Sequence, residues 1–192
     1  MTSEDTPLLP QESLALIAEA IRKTKENYQE NSRFFLLWGW LIAAASVGFF
    51  LLRQFTATRF YFLPFPVLVV AGIVTTLVWY RRLKALEPTE SYLGYFLNRL
   101  WLVLGVSFIA VVFISVSRGW PPFLYTLIVA ATGTTVSGLA MKFRPLVVGG
   151  VLFFGAAVAG VWLPDAELPL LTGLAMIGGY LIPGYLLKSA HE

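Results

Sequence analysis

The chain has 192 residues, 57% of them hydrophobic and only 13% charged, with a mean hydropathy of +0.73 and a net charge of +3. Soluble domains carry about 25% charged residues, so a water-soluble globule is excluded and lipid must be the solvent for most of the surface. The absence of cysteine excludes disulfides, thiolate metal sites and a cysteine nucleophile.

Residues 1–10, MTSEDTPLLP, are polar with two prolines and read as a mobile tail. Acidic residues from Glu4 onward, with no short apolar run behind a basic start, argue against a cleaved signal peptide. Residues 11–33 follow as a cytoplasmic amphipathic helix. Leu14, Ile17, Ala18, Ile21, Thr24 and Tyr28 recur at three- and four-residue spacing, with Glu12, Glu19, Lys23, Glu26 and Glu30 opposite. Leu14, Ile17, Ile21 and Tyr28 are the candidate interaction face. Its cover is a partner protein, a second copy, the helix's own membrane domain, or lipid headgroups. The acidic polar face disfavours the last of these.

Six apolar spans come next, Phe34–Leu52, Phe62–Tyr80, Arg99–Ser117, Phe123–Met141, Pro145–Leu163 and Leu168–Leu187. Each is close to the roughly 20 residues that cross a bilayer core as a helix. Residues 188–192 remain as a short cytoplasmic tail. The fold class is therefore all-α: six transmembrane helices within 34–187, preceded by one amphipathic helix.

Eleven of the fourteen Lys and Arg residues fall at the chain ends, in the second and fourth connections or beside them. Arg53, Arg59 and Arg118 fall on the other side. This bias places both termini in the cytoplasm. Trp38, Trp40, Trp79 and Trp101 near one set of span ends, and Trp120 and Trp162 near the other, match the interfacial aromatic belts. Because the basic residues lie between apolar spans, they set topology, and no nucleic-acid partner is expected. The bilayer itself is the expected partner, with a homo-oligomer or a membrane protein beside it. In the second connection Pro88 breaks the chain, and Thr89 or Ser91 is placed to cap the next helix.

Each external turn contains proline, and the span after it contains a glycine: Gly72, Gly133 and Gly173. This is either a repeat of three related hairpins or the ordinary use of proline at helix starts.

No Asp, Glu, Lys or His lies at a span centre, and the one histidine, His191, is next to last in the chain. Intramembrane ionisable groups mark proton relays and coupled transport. Their absence leaves no metal constellation, no carboxylate pair and no hydrolytic triad, so neither catalysis nor a cofactor is expected. The polar content sits in the fourth span, where Thr126, Ala130, Thr134 and Ser137 recur on one stripe. It is either a hydroxyl-lined pore wall or a close-packing seam, and the hydroxyls can also bond carbonyls of their own helix.

Small residues crowd the last two spans. Gly155/Ala159 and Ala175/Gly179 have the small-xxx-small spacing of tight helix pairs. Gly178, Gly179 and Pro183 mark a kink, which is structural or part of a broken-helix site. Lys142 and Arg144, in KFRP, could hold an anionic lipid headgroup.

FLLWGWL at Phe35–Leu41, KFRPLVVGG at Lys142–Gly150 and GYLIPGYLL at Gly179–Leu187 together resemble a family of uncharacterised six-span bacterial membrane proteins of Bacteroidetes type, often encoded near helix-turn-helix regulators. The resemblance implies a bacterial inner-membrane location and an accessory or regulatory role, and it transfers no catalytic residue. The sequence expectation is a non-catalytic integral membrane protein acting through assembly or partner binding. The alternative is a facilitator or small channel for a neutral or lipophilic solute.

Overall fold

The structure, a computed structural model, describes the backbone of residues 10–56, 60–86 and 92–189, and the side chains of 32–56, 60–82 and 92–189. Their regular structure is entirely helical, joined by short turns, with no strand among them. Helices α1 (Pro10–Phe55), α2 (Pro64–Leu86), α3 (Tyr92–Ser117), α4 (Phe123–Ala140) and α5 (Arg144–Ala159) are followed by a 3₁₀ turn, Gly160–Trp162. The last span comprises α6 (Leu168–Met176), a π-helical segment (Ile177–Leu181) and α7 (Ile182–Ser189). Six of these stretches are long and apolar enough to cross a membrane.

Several boundaries depart from the sequence reading, and α2 runs six residues past Tyr80 to Leu86. The amphipathic segment and the first span form one helix of 46 residues, about 69 Å at 1.5 Å per residue. Nothing between residues 30 and 36 breaks it: Asn31-Ser32-Arg33 is polar but contains neither proline nor glycine. The third span starts at Tyr92, seven residues before Arg99. The residues proposed to cap it, Thr89 and Ser91, lie outside the described residues, as do the tail 1–9 and residues 190–192. The last helix runs on through Lys188 to Ser189.

Two turns end helices in the same way. At Gly119 (φ +72) the amide of Trp120 donates to Ser115 O at 2.8 Å and that of Gly119 to Val116 O at 3.0 Å. At Lys142 (φ +53) the amide of Phe143 donates to Gly138 O at 2.9 Å and that of Lys142 to Leu139 O at 3.1 Å. Both are Schellman caps, but only the first uses the residue that a left-handed backbone favours. Pro145 then sits in the first turn of α5, where its missing N–H costs nothing.

Packing divides the six spans unevenly. More than half of the last span is buried, against about a tenth or less of α2 and α3. The inner set is α1, α4, α5 and the α6–α7 span. Among the described residues, α2 packs extensively on α1 alone and α3 on α4 alone. Glycine lets the inner helices approach. A methyl group on Gly138 would lie 2.7 Å from the Val147 amide nitrogen, and one on Gly39 would lie 2.7 Å from a Leu181 methyl. Along the antiparallel α1/α6–α7 contact, Ser46 meets Gly173, Gly39 meets Leu181, and the buried Ser32 hydroxyl donates to Gly184 O at 3.0 Å.

Candidate functional site

The polar stripe of α4 is central to the inner set. Thr134 and Ser137 are both 0% exposed, and Ala130 is also fully buried. Thr126, near the other end of the helix, is half-buried. The Thr134 hydroxyl donates to Ala130 O at 2.6 Å and the Thr126 hydroxyl to Phe123 O at 2.8 Å. Outside the stripe, Thr132 does the same to Ile128 O at 3.0 Å. In an apolar medium such back-bonding satisfies a hydroxyl without leaving its own helix. Ser137 differs, because its oxygen accepts from the Trp101 indole N–H of α3 at 3.2 Å.

Aromatic rings close around these hydroxyls. Tyr180, from the π segment, makes a side-chain hydrogen bond with Thr134. The Tyr180 ring packs against Phe153 of α5 at 4.9 Å and Phe35 of α1 at 5.5 Å, and Trp101 lies 6.4 Å away. Five helical segments therefore meet at one aromatic cluster, and it covers the Thr134–Ser137 side of α4. A pore-lining hydroxyl must be reachable by solute or water. Thr134 and Ser137 are reachable by neither in this conformation.

The kink residues have distinct roles. Pro183 has no N–H for the carbonyl of Gly179 four residues before it, and the helix shifts to π geometry there, with the Ile182 amide bonding Ile177 O. Such bulges are a recognised cause of bends. Gly149 lies against this same carbonyl: a methyl group on Gly149 would sit 2.6 Å from Gly179 O. Gly179 itself receives the Phe153 ring, which a methyl group would strike. Gly178 meets Leu152 more loosely, at 3.3 Å.

The glycine repeat is a real structural device with one correction. Trp38 and Leu41 of α1 cover Gly72 of α2, and Trp101 and Leu104 of α3 cover Gly133 of α4. The same indole atoms, Cη2 and Cζ3, make both contacts, at 3.1 and 3.3 Å from a methyl group on Gly72 and at 3.0 and 3.3 Å from one on Gly133. In the third hairpin Phe153 of α5 covers Gly179. Gly173, the glycine expected from sequence, faces Ser46 of α1 instead. Its place in the span after a proline-containing turn suggested equivalence, but the partner helix decides which glycine is used.

Gly155 and Ala159 are corrected too. Both are exposed, and nothing lies within 4 Å of a methyl group on Gly155. This small-residue pair is therefore not an internal seam. Lys142 and Arg144 are exposed beside the left-handed turn. The side chains of Leu14, Ile17, Ile21 and Tyr28 lie outside the described residues, although their backbone is helical. Sequence reasoning missed Tyr180 and Trp101 as partners of the α4 hydroxyls. The available signal was the mid-membrane placement of a tyrosine, whose O–H needs an acceptor when buried.

No protein-family model matches the chain, and no curated protein or solved structure matches it.

Proposed function

We propose that this multi-pass membrane protein is non-catalytic and acts through assembly or partner binding, as a regulatory or accessory subunit of a bacterial inner membrane with both termini in the cytoplasm. One observation carries the reading. The intramembrane hydroxyls best placed to line a solute path, Thr134 and Ser137, are spent on internal hydrogen bonds at a fully packed centre. A transmembrane domain whose central α4 hydroxyls are turned inward in this way serves as a scaffold. The interaction element it carries is the N-terminal helix. The sequence gives residues 11–31 an apolar stripe of about five turns, and that stripe needs a cover. The resemblance to six-span proteins encoded near regulators points the same way.

The test is to replace Ile17 and Ile21 together by Asp. Membrane insertion is unchanged, because the six spans drive it. The mass of the detergent-solubilised particle by light scattering falls, or a co-purifying protein is lost. Glu19→Gln and Glu26→Gln, on the opposite face, serve as controls. A double variant that keeps its mass and its partners removes the N-terminal helix as the interaction element and the assembly reading with it.

A further inference from the structure

The basic end of the bundle carries one place where oriented hydrogen-bond donors, a cation and a hollow coincide. The Trp40 indole N–H of α1 donates to the Tyr185 hydroxyl of α7 at 3.2 Å. With this lone pair taken, the phenol still has its own proton to donate. Both residues are lipid-accessible, 56% and 50% exposed. Lys188 lies three residues on, on the same face of α7, and is exposed. Beside this seam an open, shallow hollow of about 340 Å³ lies against the end of α7 alone, lined by Tyr185, Leu186, Lys188 and Ser189. The Ser189 hydroxyl is turned back onto Leu186 O at 3.2 Å. Two side-chain donors therefore face the hollow, a neutral O–H and an ammonium.

A ligand matched to two donors supplies oxygen acceptors, with its negative charge at the Lys188 end. Three helical residues separate the donors by about 4.5 Å along the axis. The interfacial layer of one leaflet is roughly 5–7 Å thick, with phosphate at its outer edge and acyl esters at its inner edge. Below Tyr185 on the same face stands Ile182, 55% exposed, an apolar surface for an acyl chain. The frame is rigid, because the residue before Tyr185, Gly184, is tied to α1 by the buried Ser32 bond at 3.0 Å. Lys142 and Arg144 are likewise exposed cations, but among the described residues no side-chain hydrogen bond orients a neutral donor beside them.

We propose that the α1/α7 seam binds a single glycerophospholipid, with its phosphate on Lys188 and an acyl-ester carbonyl oxygen on the Tyr185 hydroxyl, which Trp40 holds in place. This site is independent of the assembly reading.

The experiment is native mass spectrometry of the full chain, titrated with diacyl phosphatidylglycerol and with its diether analogue, which has the same headgroup and chains but no ester carbonyl. The unmodified protein binds one diacyl lipid about five- to tenfold more tightly than the diether, the range expected for one hydrogen bond. Tyr185→Phe removes that preference and leaves diether binding unchanged. Lys188→Gln weakens both lipids alike. Trp40→Phe narrows the preference. Lys142→Gln with Arg144→Gln leaves it intact. Equal affinity for the two lipids in the unmodified chain overturns the proposal, as does a preference that survives Tyr185→Phe. The ester–ether comparison on the unmodified chain is decisive whatever the variants do to folding.

Discussion

Trp101 and Trp38 occupy matching places in the second and first hairpins, yet only one of them has a hydrogen-bond acceptor. Each lays the same indole edge on a glycine, Gly133 or Gly72, with a leucine three residues later on the same glycine. One turn beyond Gly133, Ser137 accepts the Trp101 N–H. One turn beyond Gly72 is Thr76, and both its hydroxyl oxygen and the Trp38 indole nitrogen are buried without a partner. The neighbours of the two even-numbered helices account for the difference. Helix α4 is pinned by α5, because Gly138 and Gly150 bring the backbones together, and this fixes Ser137 in register with Trp101. Among the described residues, helix α2 has α1 as its one extensive partner, so Thr76 is held from one side. The same contact motif is thus a closed joint where the helix is held on two sides and an open one where it is held on one.

The largest expected effects concern the glycines. Replacing Gly179 by Ala drives a methyl group into the Phe153 ring, which is fully buried and cannot move aside. It should cost about 2–3 kcal/mol in the range typical of overpacking, or prevent folding. Gly72→Ala, opposite a Trp38 and Leu41 that can yield toward lipid, should cost about 1 kcal/mol or less. Thermal unfolding in one detergent ranks the two. Equal losses would mean that α2 is held as firmly as the inner helices.

The indoles give a sharper contrast. Trp101→Phe leaves the buried Ser137 hydroxyl without its donor and should cost about 1–2 kcal/mol. Trp38→Phe removes a buried N–H that has no acceptor, so its lost area is offset and the net change should be near zero. Unfolding by denaturant in mixed micelles reads both. A Trp38→Phe penalty matching that of Trp101→Phe would show that the first joint closes in the membrane.

The hydroxyls should follow with smaller effects. Ser137→Ala should lose about 0.6 kcal/mol, the average for an interhelical side-chain bond in a membrane, whereas Thr76→Val should be neutral or slightly stabilising. The same unfolding assay checks both. A comparable effect comes from the two Schellman turns. Lys142→Gly relieves a left-handed backbone and should stabilise by up to about 1 kcal/mol, whereas Gly119→Ala imposes that strain and should destabilise by a similar amount.

Much of this architecture was legible in the sequence, because lipid leaves few alternatives. An apolar stretch of about 20 residues must be a helix if its backbone is to be satisfied, so all six spans could be placed. Polar signals were less decisive. Asn31-Ser32-Arg33 reads as a boundary by hydropathy, but helical geometry ignores hydropathy, and α1 runs through it. The α4 stripe was legible as a set of positions, and its role was not, because a seam and a pore wall need the same small hydroxyl residues. Tyr180 and Trp101 decide between them, and they come from elements 43 and 36 residues away from Ser137 in the chain. Gly173 and Gly179 could not be told apart, since each follows the third turn and only the position of Phe153 selects one.

The account's central claim is that the centre of α4 is a packed seam closed to solute. Because the chain has no cysteine, single cysteines at Thr134 and Ser137 can be probed without background by a small water-soluble thiol reagent in membranes, with Lys142→Cys as the exposed reference. The account predicts full labelling at 142 and labelling at 134 and 137 slower by at least about a hundredfold, the rate set by rare opening of the bundle. Labelling at 134 or 137 at a rate near that of 142, in protein that keeps its native melting temperature, would place water at the centre of α4 and contradict the claim.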